Sequence, residues 1–136
     1  MVSKIGIFLD SNVLIAFANE QDALHDRAVA LMQRISGAEF FISDYVFNEV
    51  VTVLAMKRRA RERAIRFGKH LLNSDIVILR IMKPILDEGW EVFCKEKNLS
   101  FTDATIIATM RQFDIPTLAT FDEDFQGMKG ITVVDS

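Results

Sequence analysis

Cysteine is almost missing from this chain: Cys94 is the single one in 136 residues. That excludes an internal disulfide and a cysteine-ligated zinc site. With Trp90 and Phe93 close by in sequence, Cys94 is expected to be core packing. Histidine is scarce too, and His25 and His70 lie far from the polar clusters described below. The two prolines, Pro84 and Pro116, both fall near element boundaries. No apolar run approaches the roughly 20 residues needed to span a bilayer. Met1-Val2-Ser3-Lys4 leads directly into a strand-like run without a signal-peptide cleavage pattern, so a cytoplasmic location and no membrane partner are expected. Positive charge is not in excess: 16 basic residues face 19 acidic ones, a net charge of −3. A surface basic all over is excluded, although a local patch is not. There is no repeat, low-complexity tract or linker, and residues 1–136 are expected to form a single domain.

Apolar residues are plentiful. Half the chain is hydrophobic and 11 residues are Phe, enough for a packed core. The run Ile5-Gly6-Ile7-Phe8-Leu9 reads as a strand buried on both faces, and it stops abruptly at Asp10-Ser11-Asn12. A second apolar run, Val13 to Phe17, opens a helix. Polar residues at the carboxyl end of a buried parallel strand stand where open α/β sheets bind ligands. The same residues also suit a helix cap, and this stretch alone leaves both readings open.

The remaining chain alternates strand and helix. Leu24, Ala28, Leu31, Met32 and Ile35 recur at helical spacing, and Ser36-Gly37 stops that helix. Phe40–Ile42 is a second strand. Ser43 or Asp44 then caps a helix with Val46, Val50, Val53 and Leu54 on its apolar face. A further helix runs to about Leu72, with Ile65, Gly68, Leu71 and Leu72 inward, and Ile76–Leu79 forms a third strand. Pro84 suits the first turn of a helix reaching about Lys97, whose buried face is assigned to Trp90, Phe93 and Cys94. The next helix begins near Asp103 and buries Ile106, Ile107, Met110 and Phe113. Strands over 116–120 and 131–134 complete an α/β fold. It is expected to be a three-layer sandwich, a mostly parallel sheet of about five strands with helices on both faces.

Three later acids join Asp10 at the carboxyl edge of such a sheet. Glu49 falls within an apolar stripe, where a carboxylate is costly unless it is paired, metal-bound or at a cleft. Asp103 lies on the inward side of its helix's first turn. Ser100-x-x-Asp103 also reads as a capping box, with Thr102 as another possible cap. Asp122 follows the fourth strand by two residues, while Phe125 is expected to turn into the core and leave Asp124 facing outward. Lys57-Arg58-Arg59-Ala60-Arg61-Glu62-Arg63-Ala64-Ile65-Arg66 is the one strong charge cluster, with six basic residues against one acid. It reads either as a solvated helix corner or as an RNA-phosphate patch using Arg58, Arg59, Arg61 and Arg63.

The motifs Leu9-Asp10-Ser11-Asn12-Val13-Leu14-Ile15, Asn48-Glu49-Val50, Thr102-Asp103-Ala104-x-Ile106 and Thr120-x-Asp122-x-x-Phe125 resemble, in order and spacing, those of PIN-domain nucleases. The resemblance covers essentially the whole chain and is greatest to the compact VapC-type toxins. It implies a PIN-like fold and divalent-metal-dependent endoribonuclease activity. It also implies a small antitoxin partner, self-association as a homodimer, and a site in which Asp10, Glu49, Asp103 and Asp122 match the family's acids and Asn12 its following polar residue. Asp124 is an additional acid outside the pattern. Phe17 and Phe47 are the apolar residues expected exposed beside the cleft.

The chemistry of these residues agrees. Several carboxylates converging on one cleft repel one another and favour a bound cation. An oxygen-only donor set selects Mg²⁺ or Mn²⁺ over zinc. Such an ion equips a site for phosphodiester hydrolysis by water. Asp10 and Asp103 are cast as principal ligands, Glu49 and Asp122 as further ligands or water positioners, and Asn12, Ser11 and Thr120 as orienting groups. Other classes fit less well. A phosphoreceiver domain needs an Asp after the third strand, and none follows Ile76–Leu79. A haloacid-dehalogenase-type phosphatase needs a second Asp where Asn12 stands. An RNA-processing nuclease without an antitoxin, or a silent PIN-like interaction module, is the alternative.

Overall fold

The short apolar runs become the strands of one sheet. A computed structural model describes residues 4–56 and 60–136. Within them the strands are β1 (Gly6–Leu9), β2 (Glu39–Ser43), β3 (Val77–Leu79), β4 (Thr117–Ala119) and β5 (Thr132–Val134). The helices are α1 (Ser11–Ala18), α2 (His25–Arg34), α3 (Asp44–Met56), α4 (Arg61–Asn73), α5 (Lys83–Lys95) and α6 (Phe101–Gln112), and a 3-10 turn covers Glu123–Phe125. Every strand pair is parallel, in the order β3-β2-β1-β4-β5. Phe8 of β1 lies level with Phe41 on one side and Leu118 on the other.

The strand order explains the layers. The chain steps outward from β1 through β2 to β3, then returns across the sheet to β4. Right-handed crossovers therefore put α1–α4 on one face and α5–α6 on the other. The helix contacts agree, linking α1 with α2 and α3, α3 with α4, and α5 with α6. Phe8, Leu9, Ile42, Leu118, Ile106, Ile107 and Phe125 are fully buried around the central strands. Because the direction of winding reverses beside β1, the crevice between the ends of β1 and β4 is the topological switch point, where such sheets bind ligands.

Two helices expose large residues that their size assigns inward. On α5 the buried residues are Ile85, Gly89 and Val92. Trp90 is 58% exposed, Phe93 is 37% exposed, and Cys94 is exposed rather than packed in the core. On α4 the buried residues are Ala64, Gly68 and Leu71, while Ile65 and Leu72 are exposed. On α5 the buried stripe is displaced by one residue from the bulky one; on α4 Gly68 and Leu71 are buried as expected, and Ala64 takes the inward place given to Ile65. A glycine lies at the centre of both stripes. A Cβ on Gly89 would stand 3.3 Å from the Thr105 Cα, and one on Gly68 3.3 Å from Val51 Cγ2. Close approach of the neighbouring helix selects the small residue over the large one. The displaced rings pack on each other instead: Trp90, Phe93 and Phe101 form a triad with centroids 5.7, 6.1 and 5.8 Å apart. Phe113, the C-cap of α6, is likewise exposed rather than inward. Phe17 and Phe47 are half-buried rather than exposed, Phe17 lying against the Phe67 ring at 6.5 Å.

Candidate active site

Asp10 ends β1 and caps α1. Its Oδ1 accepts the Ser11 backbone N–H at 2.7 Å, and its backbone N–H extends the β1–β4 ladder to the Ala119 carbonyl at 3.0 Å. The residue is only 3% exposed. From the end of β4, the Thr120 hydroxyl donates to Asp10 Oδ2 at 2.7 Å. Asn12 spans the same gap. Its Nδ2 lies 3.3 Å from both Asp10 Oδ2 and Thr120 Oγ1, and its Oδ1 accepts the Phe121 N–H at 3.2 Å. Asp10, Asn12 and Thr120 thus lash the two strand ends together at the switch point.

The other acids are tied to this corner by different means. Ser11 Oγ donates to Glu49 Oε1, which reaches in from the second turn of α3. The Asp122 N–H donates to Thr120 Oγ1 at 3.0 Å, and Asp122 caps the 3-10 turn by accepting the Asp124 N–H at 2.9 Å. Phe125 is fully buried and Asp124 is exposed, as the loop reading anticipates. Asp103 approaches from the opposite layer as the third residue of α6. Its helix begins at Phe101, two residues earlier than expected, and Ser100 rather than Thr102 is the cap. The capping box is complete: Ser100 Oγ accepts the Asp103 N–H at 3.1 Å, and Asp103 Oδ2 accepts the Ser100 N–H at 3.2 Å.

These carboxylates act on one another. Burial pushes the Asp10 carboxyl up to about 7, with the charges of Asp103 and Glu49 adding to the rise and the Thr120 and Ser11 hydrogen bonds opposing it. Asp103 is also raised, first by burial and then by Asp122 and Glu49, against the bonds from Ser100. Each acid therefore lies within the electrostatic reach of at least one other. Among the described residues, however, no three Asp, Glu, His or Cys side chains close into a ready metal-ligand group. The arrangement suits a hard cation that keeps several waters and takes one or two carboxylates directly.

The described residues of the basic run do not join this corner. Arg58 and Arg59 lie outside the described residues. Arg61 is exposed at the first position of α4. Arg63 donates to Asn19 Oδ1 at 3.1 Å, beyond the far end of α1, and lines a cleft of about 390 Å³ with Arg66, Phe67 and His70. A cation that the sequence reading passed over does reach the site loop: the Arg27 guanidinium covers the Phe121 ring, 4.6 Å from its centroid. Nothing in the sequence marks it, because an arginine on the polar side of an amphipathic helix is the ordinary solvated case.

An α/β sheet carrying acids from both helical layers at its switch point defines a class of carboxylate-based, metal-dependent hydrolase sites. The chain belongs to the PIN-domain family, whose sequence profile matches residues 7–131. Nucleases of that family use a divalent metal. The chain is 26% identical to Ribonuclease VapC6 of Methanocaldococcus jannaschii, over 98% of this chain and 99% of that protein. It is 30% identical to the 23S rRNA-specific endonuclease VapC20 of Mycobacterium tuberculosis, over 88% of this chain and 91% of the relative. The crystal structure of Mycobacterium tuberculosis VapC20, described as a sarcin-ricin loop cleaving toxin, superposes with a TM-score of 0.79 at 26% identity, covering 88% of this chain and 92% of that one. A toxin-antitoxin complex from Klebsiella pneumoniae shares the fold, with a TM-score of 0.69 at 23% identity over 93% and 95% of the two chains. Among the described residues no helix is long and apolar enough to cross a membrane.

Proposed function

We propose that this chain is a single-domain endoribonuclease that hydrolyses RNA phosphodiesters with Mg²⁺ or Mn²⁺. It acts as the toxin of a toxin-antitoxin pair, in the cytoplasm, and self-associates as a homodimer. One observation carries the nuclease reading: Asp10 is buried at the sheet's switch point, where burial first, and then the charges of Asp103 and Glu49, raise its pKa to about 7. A buried carboxylate facing other, part-buried acids is stabilised in its ionised form by a cation among them. The oxygen-only donors favour Mg²⁺ or Mn²⁺. The antitoxin partner rests on likeness to proteins named VapC, one of them described as a toxin.

In this reading Asp10 and Asp103 hold the ion, while Glu49 and Asp122 are further ligands or hold the attacking water. The bound cation supplies a Lewis acid for the phosphoryl group and acidifies that water. Thr120 and Asn12 fix the Asp10 carboxylate by occupying Oδ2, and Ser11 orients Glu49 through its hydroxyl. Asp122 is aimed by its N–H bond to Thr120.

The test is a ribonuclease assay on wild type and Asp10→Asn with Mg²⁺, with Mn²⁺ and with EDTA. Metal-dependent cleavage by the wild type and none by the variant is the expected result. Activity undiminished in EDTA, or full cleavage by Asp10→Asn, overturns the reading. Expression alone should arrest growth, and co-expression with the adjacent reading frame should yield a tight complex. A harmless, strictly monomeric protein would remove the toxin role and leave an RNA-processing nuclease.

A further inference from the structure

The candidate site is rich in negative charge, and an RNA strand brings more. Of the predicted phosphate-contacting arginines, Arg63 is bonded to Asn19 past the end of α1, an eight-residue helix. Such a helix spans about 12 Å, so Arg63 is a helix length removed from Asp10. A cation nearer the site would serve better. We propose that Arg27 is that cation: its guanidinium receives an RNA phosphate next to the scissile one. This inference rests on the nuclease function proposed above.

Position is the first argument. Phe121 directly follows Thr120, past the end of β4, and Asp135 directly follows β5, so both lie at the carboxyl edge of the parallel sheet. Arg27 touches both. It covers the Phe121 ring at 4.6 Å, donates from Nε to the Asp135 carbonyl at 3.1 Å, and places Nη2 3.5 Å from Asp135 Oδ2. The ring beneath it belongs to the residue joining Thr120 to Asp122, and its own backbone N–H is bonded to Asn12. The guanidinium is therefore seated on the loop that completes the site.

Pre-organisation is the second argument. A stacked guanidinium with its Nε edge held by a carbonyl has lost most of its freedom before any ligand arrives. Nη1 has no partner among the described residues. The side chain remains 44% exposed and that of Asp135 45%. Such an exposed ion pair is weak, so a phosphate can take the place of the Asp135 carboxylate on the guanidinium fork. The carboxylate marks where the anion would lie.

Two variants and a control decide between this role and that of a simple clamp between the loop after β4 and the end of β5. The probe is a fluorescein-labelled single-stranded oligoribonucleotide, titrated over a range of salt in an Asp10→Asn background that prevents cleavage. Arg27→Met and Arg27→Gln should each weaken binding about three- to tenfold at low salt. Each should also flatten the slope of log K against log salt by about 0.7, the loss of one phosphate contact on a single strand. Asp135→Asn keeps the arginine but removes its competitor, and should tighten binding about twofold. An unchanged slope in whichever Arg27 variant remains folded, with a lowered melting temperature, makes Arg27 a clamp and overturns the proposal; so does weaker binding by Asp135→Asn. If the wild type with Mg²⁺ or Mn²⁺ neither binds nor cleaves RNA, the nuclease reading fails and this proposal with it. A parent that binds while the variants keep its slope refutes Arg27 alone.

Discussion

Asp10 and Asp103 reach the same crevice from opposite layers, and the chain treats them differently. Asp10 is 3% exposed, with Oδ1 engaged by the Ser11 N–H and Oδ2 by Thr120 and Asn12. Asp103 is partly exposed, with one oxygen held by the Ser100 N–H. Yet both serve as helix caps, Asp10 for α1 and Asp103 within the capping box of α6. Capping and the proposed place in the site are compatible here. A helix N-terminus offers N–H groups that fix a carboxylate without neutralising it. Asp103 is held by one oxygen, whereas both oxygens of Asp10 accept hydrogen bonds. The difference between them is burial, and burial sets how much each costs the fold when ionised.

The largest expected effect tests that difference directly. Asp10→Asn and Asp103→Asn should each reduce RNA cleavage on the order of 10²-fold or more, as removal of charge stabilisation at a reacting phosphate does. Their stabilities should diverge. In EDTA at pH 8, Asp10→Asn relieves a buried anion and should raise stability by about 1–3 kcal/mol. Asp103→Asn keeps its capping oxygen and should change stability by no more than about 1 kcal/mol. The pH profile follows from the raised Asp10 carboxyl. Between the ordinary value of 3.8 and about 7 the native state holds a proton that the unfolded chain has released. Stability of the metal-free protein should therefore fall as pH rises through this window. Thermal melts should show that fall in the wild type and much less of it in Asp10→Asn. Equal melting shifts for the two variants would erase the distinction between the two corners.

A smaller effect isolates the hydrogen bonds at Asp10. Thr120→Val removes the 2.7 Å donor to Oδ2 and the acceptor for the Asp122 N–H, leaving both groups short of a partner. Cleavage should fall about 10- to 100-fold, the usual range for a group that supports a ligand. Stability should fall by about 1–3 kcal/mol. Thr120→Ser, which restores the hydroxyl, should recover most of both. If the serine variant behaves like valine, the methyl packing of Thr120 matters rather than its bond to Asp10.

The smallest contrast lies within one loop. Asp122 touches Thr120 and caps the 3-10 turn, whereas the exposed Asp124 contributes its N–H to that cap. In a calorimetric Mn²⁺ titration Asp122→Asn should lose affinity clearly. Asp124→Asn should act only through a field that salt screens, an effect that shrinks as ionic strength rises. The reverse outcome would mean that the loop presents a different acid to the cleft.

Much of this architecture is legible in the chain because it depends on local signals. Short apolar runs ending in Asp10-Ser11-Asn12 and Thr120-Phe121-Asp122 mark parallel strands and the loops beyond them, and the buried Phe125 shows which way the last loop turns. The helix faces were harder. Trp90, Phe93 and Cys94 form the bulkier stripe of α5, and Ile65 and Leu72 flank the buried stripe of α4. Size points to burial, but how closely two helices approach is not written in either one alone. Gly89 faces the Thr105 backbone, and Gly68 the Val51 side chain, across contacts that a Cβ would tighten to 3.3 Å. On α5 helix spacing selected the stripe with a glycine, one residue away; on α4 it kept the expected Gly68 and Leu71 and left Ile65 and Leu72 outside. The surface cluster of Trp90 and Phe93, exposed, on the half-buried Phe101 is the result.

The sequence by itself determined which acids the chain carries and at which strand ends or helix starts they stand, because alternation of period and residue type is local information. It also determined the parallel sheet, since strand-helix alternation with right-handed crossovers leaves few other folds. Only the tertiary structure decided that Asp10, Asn12 and Thr120 form one hydrogen-bonded corner, that Ser11 engages Glu49, and that Arg27 rather than Arg63 stands over the site loop. Those pairings join residues as much as 110 positions apart. They arise where β1 and β4 meet at the reversal of winding. A contact set by the meeting of two strands is a property of the sheet as a whole, and no stretch of the chain carries it alone.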